Sequence, residues 1–382
     1  MIAINFYGHF DGTAGISEAA RLNAKALAKV GVKLNIFSYD FGNNYISNSP
    51  HNTNNYKSSI NLIQINYDRA KDFIKKEKRI FNNSENYNIA CWAWEFPETT
   101  EEMKSCLSKF DELWVPSSFC VNVFSQISTS PVLCFPHPIE SAVTSKYNRD
   151  HFNIQKNDFV FLNIFDSYSS LIRKNPLGVI RAFKKASKDT NRQIRLIVKS
   201  MNLNKFGNEF NEIKEAIASS DNIDLIDKRL EKEELTSLIN NSDCLISLHR
   251  SEGFGLTMAE AMSYGKPVIA TGYSGNLEFM NVNNSMLVKS KTSKTTESHG
   301  SILKGYTFCE PDVEHANELI KLVFTNLEMN KIIGQRAKDD ITQQLSLQCI
   351  GTKMKDRIAL IDNERVKKEK NYKYNNLFKW LK

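Results

Sequence analysis

His249-Arg250-Ser251-Glu252-Gly253-Phe254-Gly255-Leu256-Thr257-Met258-Ala259-Glu260 is the stretch on which the fold turns. The apolar run 244–248 before it reads as a buried strand, and the apolar spacing after it predicts a helix from about Thr257 to Tyr264, ended by Gly265. Another strand, 268–270, follows. Strand, glycine loop, helix, strand is one βαβ unit of a parallel sheet. Upstream, the runs 159–165, 194–198 and 223–226 supply three more strands. A helix is expected after Pro176, with Leu177, Ile180 and Phe183 on one face; proline suits a first helical turn, where its missing N–H costs nothing. Downstream, Leu319, Ile320, Val323, Phe324 and Leu327 predict a late amphipathic helix, and the polar segment 289–305 an irregular insertion.

The same alternation occurs nearer the N-terminus. Residues 2–6 form an apolar run, the loop 7–15 contains Gly8, Gly12 and Gly15, and Ile16, Ala20, Asn23, Ala24 and Leu27 recur at helical spacing up to Gly31. Val32, Leu34 and Ile36 open the next strand, and further strands are expected at 88–94, 112–115 and 132–135. The Asn/Ser-rich segment 42–61 reads as a loop. The polar stretch 147–151 divides the chain into units at 1–150 and 151–345, with 346–382 left as a helix and tail. A chain of 382 residues suits two domains of roughly 150–200 residues each.

Composition excludes several classes. No apolar run approaches the ~18 residues of a membrane span, and no basic-then-apolar leader is evident. Seven cysteines are scattered without a CxxC pair, which fits buried thiols in a reducing cytoplasm. The net charge is +7. Residues 365–382 carry seven Lys or Arg against Glu369 alone, so the body of the chain is nearly neutral. That distribution argues against a nucleic-acid partner, which would call for basic surface on a folded domain.

The opening stretch carries the chemistry. Ligands of open α/β sheets bind beyond the carboxyl ends of the strands. Gly253 and Gly255 let the backbone approach a ligand, and the helix beginning at their end favours an anion such as a diphosphate. Glu252 and Glu260 would flank that anion. They make sense if each accepts hydrogen bonds from hydroxyls, one set on a sugar and one on a ribose. A glycine turn with two solvated glutamates is the plainer alternative.

Glu252 and Glu260 with seven residues between them, Gly-Phe-Gly inside and Gly-Lys-Pro-Val-Ile-Ala (265–270) after them, resemble family 4 of the retaining glycosyltransferases, mannosyltransferase-like members included. The weaker resemblance runs over roughly residues 1–345. It implies an α/β GT-B fold: two Rossmann-like domains with parallel sheets facing across a cleft, and a C-terminal helix crossing back to the first. It also implies that Glu252 and the backbone of Gly253, Phe254 and Gly255 hold a donor sugar and its diphosphate, with Leu256 on the same donor side and Glu260 on the ribose. The family often has Gly-Arg after the first strand of the second domain. Here Phe165-Asp166-Ser167 stands there, so the cation role falls on Lys174 first, on Arg173, or on Lys199 after the strand 194–198. A solvated basic turn is the alternative for the pair.

Other candidates are less specific. Gly12 and Gly15 are placed by the resemblance at the cleft, although a tight turn into a helix explains them equally. Glu95, in Trp92-Ala93-Trp94-Glu95-Phe96-Pro97, could bind acceptor hydroxyls or act as a base; core packing explains the tryptophans. His137, between two prolines, faces either the cleft or a turn. Tyr273-Ser274-Gly275-Asn276 is expected to line the sugar end of the donor pocket. No Asp-x-Asp pair and no His/Cys cluster occurs, so no metal and no other cofactor is expected. The implied partners are a nucleotide-sugar donor and a glycan or lipid-linked acceptor in surface polysaccharide synthesis, such as O-antigen or capsule. Tyr372, Tyr374, Phe378 and Trp380 among the lysines of 365–382 suit an anionic membrane surface, hence a cytoplasmic protein, peripheral on the inner face; a solvated tail is the alternative. A nucleotide-sugar 2-epimerase of the same architecture and a non-catalytic partner subunit are the rival readings.

Overall fold

The computed structural model describes residues 2–12, 14–40, 45–48, 56–141, 146–188, 190, 193–298 and 302–380, without the side chains of 40, 45–48 and 366–380. In the first half, β1 (Ala3–Gly8), β2 (Lys33–Asp40), β3 (Tyr45–Asn48), β4 (Ile60–Gln64), β5 (Tyr87–Cys91), β6 (Glu112–Val115) and β7 (Val132–Cys134) form one sheet in the order β3-β2-β1-β4-β5-β6-β7. Only the edge strand β3 runs antiparallel. In the second half, β8 (Phe159–Ile164), β9 (Ile194–Ser200), β10 (Ile223–Asp227), β11 (Cys244–Ser247), β12 (Val268–Thr271) and β13 (Met286–Val288) form a wholly parallel sheet in the order β10-β9-β8-β11-β12-β13. The strand order reverses between β8 and β11, which is where an open α/β sheet leaves a crevice.

Two expectations are corrected. The segment 42–61 is not all loop: 45–48 pairs with β2, and β4 begins at Ile60. Residues 41–44 and 49–55 of that segment lie outside the described residues. The segment 289–305 is not irregular either. Its first half is β14 (Ser290–Lys294), which pairs antiparallel with β15 (Thr307–Pro311). Ile302, Tyr306 and Phe308 from this hairpin are buried in the aromatic core of the first half, with Trp94 and Phe96.

Register in the first sheet is fixed by a polar row. Asn35, Asn5, Asn61 and Asn88 sit on neighbouring strands β2, β1, β4 and β5, and their amides join in series at 2.8, 2.9 and 2.8 Å. A slip of one residue would turn an asparagine to the opposite face and strand buried polar groups. Ile4 and Phe6 face the other way, into a core shared with the helix Gly15–Lys29 and the C-terminal helix.

That C-terminal helix, Leu347–Trp380, crosses back from the second half to the first. The chain passes between the halves twice, side by side, where Ile139 N donates to Leu345 O at 2.7 Å. Lys355 Nζ donates to Val30 O at 2.7 Å. Arg357 forks onto the fully buried Glu112, with Nη2 2.6 Å from Oε2. Glu112 also accepts from Trp114 Nε1 and Tyr87 OH. The basic and aromatic side chains of the tail from 366 onward lie outside the described residues. Among the described residues no helix is long and apolar enough to cross a membrane.

Arg357→Ala should therefore cost about 3–5 kcal/mol in urea denaturation, because it leaves the Glu112 charge buried and unpaired. Replacing both partners, Arg357→Met with Glu112→Gln, should cost less than the single change.

Candidate functional site

The site lies beyond β8 and β11. After β8 the chain makes a 3-10 turn, then a short helix, Leu171–Lys174, and Asn175 in the left-handed region at φ 50°. Asn175 ties this turn to the neighbouring strand's end: its Nδ2 donates to Leu248 O at 2.8 Å, while its Oδ1 caps the helix Pro176–Ser187. The turn delivers Arg173 and Lys174 to the loop that follows β11. There Lys174 Nζ lies 2.5 Å from Glu252 Oε1 and Arg173 Nη1 3.0 Å from Glu252 Oε2. Arg173 Nη1 also donates to Ser251 O at 3.0 Å, and Nη2 lies 3.4 Å from Glu95 Oε1, a residue of the first half.

Glu252 is almost completely buried. Burial by itself would raise its carboxyl, but the Lys174 and Arg173 charges outweigh that and hold it down at about 2. Burial pulls the Lys174 ammonium down against the attraction of Glu252. His249 lies beneath, fully buried and shifted down chiefly by that burial. Its ring joins Ser247 Oγ and Asn276 Oδ1, each at 3.1 Å.

The loop itself is interlocked with the loop after β12. Gly275 N donates to Glu252 O, and Glu252 N donates to Ser274 Oγ, both at 2.8 Å. Gly275 lies so close to the Gly253–Phe254 peptide that a Cβ there would sit 2.1 Å from Gly253 O. Asn276 turns its amide inward, donating to Thr271 O at 3.0 Å. Gly255, at φ 99°, then turns the chain into the helix Leu256–Ser263, one residue earlier than the spacing predicted.

The first half closes on this loop. Ser117 Oγ donates to Gly253 O at 2.7 Å, and Ser251 Oγ donates to Glu95 O. His137 meets the Phe254 ring edge-on at 5.1 Å; its Nδ1 is buried without a partner, and burial pushes the imidazole down to about 4. Nearby, Glu98 accepts from Thr307 N at 2.9 Å and Thr307 Oγ1 at 2.6 Å. Arg250 grips Glu310 of the hairpin, with Nη2 2.9 Å from Oε1.

Thus Glu252, Arg173, Lys174 and Glu95 form one cluster. Gly253, Phe254, His137, Gly275 and Asn276 build the wall beside it. The others are placed apart. Lys199 is buried at the end of β9, donates to Ser200 O at 2.6 Å, and is drawn down to about 8 by burial. Its charged neighbours are Asp227, Asp166, Glu234 and Lys228, none of them in the Glu252 cluster. Glu260 is half-buried on the helix, and its charged neighbours are Glu18 and Lys232. Gly12 packs against His9 and Ser17, and its carbonyl accepts from Arg21 Nη1 at 2.8 Å; Gly15 begins the first helix with open space beside it. Thr13 between them lies outside the described residues. Trp92 and Trp94 are core. Leu256 is half-buried at the helix start.

Sequence reasoning placed Ser274 at the donor pocket but gave no role to Ser117, Ser251, Arg250 or Glu98. Ser117 shows as a helix cap, and its own Oγ does accept from Cys120 N at 3.3 Å; nothing in the local sequence signals its second bond across 136 positions. All seven cysteines are free thiols. Among the described residues, no three His, Cys, Asp or Glu side chains gather as a metal site.

Against known proteins, the profile described as "Glycosyl transferases group 1" matches residues 148–340, just over half of the chain. The chain belongs to that family. The matched span contains β8 to β13 and the whole Arg173–Lys174–Glu252 cluster. The curated proteins include no match. Among solved structures, sucrose-phosphate synthase from Thermosynechococcus elongatus is similar at a TM-score of 0.71 and 13% identity, over 95% of this chain and 100% of that one. HepE from Anabaena, solved with UDP and glucose, gives 0.67 and 12%, over 94% and 100%. A glycosyltransferase from Rickettsia africae gives 0.66 and 17%, over 94% and 98%. At these identities the likeness concerns the fold, and the fold is GT-B.

Glu260 provides a test of the seam. Burial, then the Glu18 charge, push its carboxyl up from 4.5 to about 7. The folded protein thus binds this proton more tightly than the unfolded chain, so stability is full below pH ~4.5 and falls as pH rises towards ~7. Melting curves of wild type and Glu260→Gln should differ in slope across that window and run parallel above it.

Proposed function

We propose that the chain is a retaining transferase of family 4 that moves a hexose from a nucleotide diphosphate sugar to a glycan or lipid-linked acceptor. The observation that carries this reading is the Lys174–Glu252–Arg173 cluster at the strand-order reversal, inside the span that matches the family. In this reading residues 151–345 bind the donor, and residues 1–150 present the acceptor. Lys174 and Arg173 stabilise the departing diphosphate together with the backbone at the start of helix Leu256–Ser263. Glu252 holds sugar hydroxyls and Glu260 the ribose. Gly253, Phe254, Gly255 and Gly275 form the wall against which the donor lies. Glu95, tied to Arg173 across the seam, and His137, with a buried unpartnered Nδ1, lie on the acceptor side with the Gly12–Gly15 turn. Lys199 is the reserve cation.

No group in the cluster is placed as a free nucleophile, since Glu252 is engaged by both cations. Same-face attack is therefore favoured, with the departing phosphate taking the acceptor proton and configuration retained. The work is positioning and electrostatics, and no metal is required in this scheme. Mannose from GDP-mannose is the first donor to try. UDP-linked hexoses stand close behind, because no residue of the cluster reads the base; HepE was solved with UDP-glucose. Surface polysaccharide assembly at the inner face of a membrane, with the basic tail as attachment, is the biological setting proposed.

A thermal-shift screen with UDP, GDP, ADP and CMP tests the donor site. One nucleotide should raise the melting temperature, by about 2.7 kcal/mol of added stability at 100 times its Kd; no shift with any of them defeats the assignment. With donor and acceptor supplied, Lys174→Ala and Glu252→Ala should each lower turnover about 100-fold or more. Donor incubated alone should yield no 2-epimer; its appearance would favour the epimerase.

A further inference from the structure

The groups assigned above to different parts of the donor are bonded to each other in the structure. Lys174 and Arg173 both hold the Glu252 carboxylate, and Glu95 is the second anion beside Arg173. Two cations thus balance two carboxylates in a largely buried place. A diphosphate seated on Lys174 with Glu252 still in contact would bury excess negative charge, which such a place penalises heavily.

We propose that Glu252 competes with phosphate for Lys174, so that donor binding exchanges one ion pair for another. Lys174 passes to the diphosphate, and Glu252, released, accepts the hydroxyls of the sugar. The proposal rests on the donor-site reading above and deepens it. With an intact sugar nucleotide both groups are satisfied. With the bare diphosphate the freed carboxylate has no sugar hydroxyls and keeps only Arg173 as a partner, so it returns to Lys174. The residue that held the sugar therefore expels the product once the sugar has left.

The geometry indicates which parts move. The Glu252 backbone is fixed on both sides, by Ser274 Oγ and by Gly275 N, so exchange needs only side-chain rotation. Arg173 keeps Ser251 O and Glu95 as partners and has a side chain only 7% exposed. Lys174, whose side chain is 20% exposed, has Glu252 as its carboxylate partner and is the cation free to change.

Calorimetric titration of GDP, UDP, GDP-mannose and UDP-glucose at one ionic strength tests the exchange. Wild type should bind the sugar nucleotide at least ~10-fold more tightly than its own diphosphate. Glu252→Gln should bind that diphosphate at least ~10-fold more tightly than wild type does, and the gap between the two ligands should close. In a Lys174→Met background, Glu252→Gln should no longer improve diphosphate binding. Unchanged or weaker diphosphate binding by Glu252→Gln overturns the exchange. If that variant does not fold, the wild-type comparison decides, and diphosphate binding as tight as the sugar nucleotide overturns it. Failure of all four ligands to bind wild type overturns the donor-site reading itself, and the exchange with it.

Discussion

A carboxylate that has lost its water must be paired or protonated, and Glu252 meets that demand with Lys174 and Arg173. Satisfying it constrains much of the molecule. Lys174 is 78 positions from Glu252 in sequence, so β8 and β11 have to be neighbours with their ends level. Asn175 sets that level by donating to Leu248 O while capping the next helix. The loop after β12 then fixes the Glu252 backbone, which is why Gly275 can carry no side chain. The ion pair is thus a consequence of sheet order, and it tethers the loops of three strands at one point.

The second constraint is the seam between the halves. Gly253 and Ser251 belong to the loop that faces the proposed donor, yet both are bonded to the first half, through Ser117 and Glu95. The hairpin β14–β15 adds an apolar contact with Trp94 and Phe96 and the Glu98–Thr307 bonds. Arg250 grips the same hairpin, which ties it to the loop that carries Glu252. On the opposite side, Lys232 bridges Glu18 at 2.9 Å and Glu140 at 3.2 Å. Lys232 is more than half exposed, so these pairs contribute less to the seam than the buried hairpin contact.

Most strands could be read from the sequence because buried parallel strands are short apolar runs, and 112–115 matched its strand residue for residue. The misses have a common physical cause. β14 is Ser-Lys-Thr-Ser-Lys, with a solvated face, and its apolar partners reside in β15 and in the other domain. β4 begins inside an asparagine-rich stretch, and Asn61 belongs to a polar row that only the paired sheet can satisfy. At the site, Glu252, Arg173 and Lys174 stood out because charged residues in loops after buried strands suit ligand chemistry. Their mutual pairing was not visible, nor was the inward turn of the Asn276 amide, since both depend on neighbours distant in sequence.

The cluster also explains why Asp166 can stand where the family often has arginine. A third cation beside Arg173 and Lys174 would need a third anion. Asp166 instead accepts from Tyr168 N and from Asn202 Nδ2, and so organises the turn that leads to Arg173. The cations of this loop stand instead at residues 173 and 174, where Glu252 and Glu95 balance them. Charge balance in a largely buried site restricts where a cation can stand. The departure at 165–167 and the pairing at Glu252 are therefore two sides of one electrostatic solution.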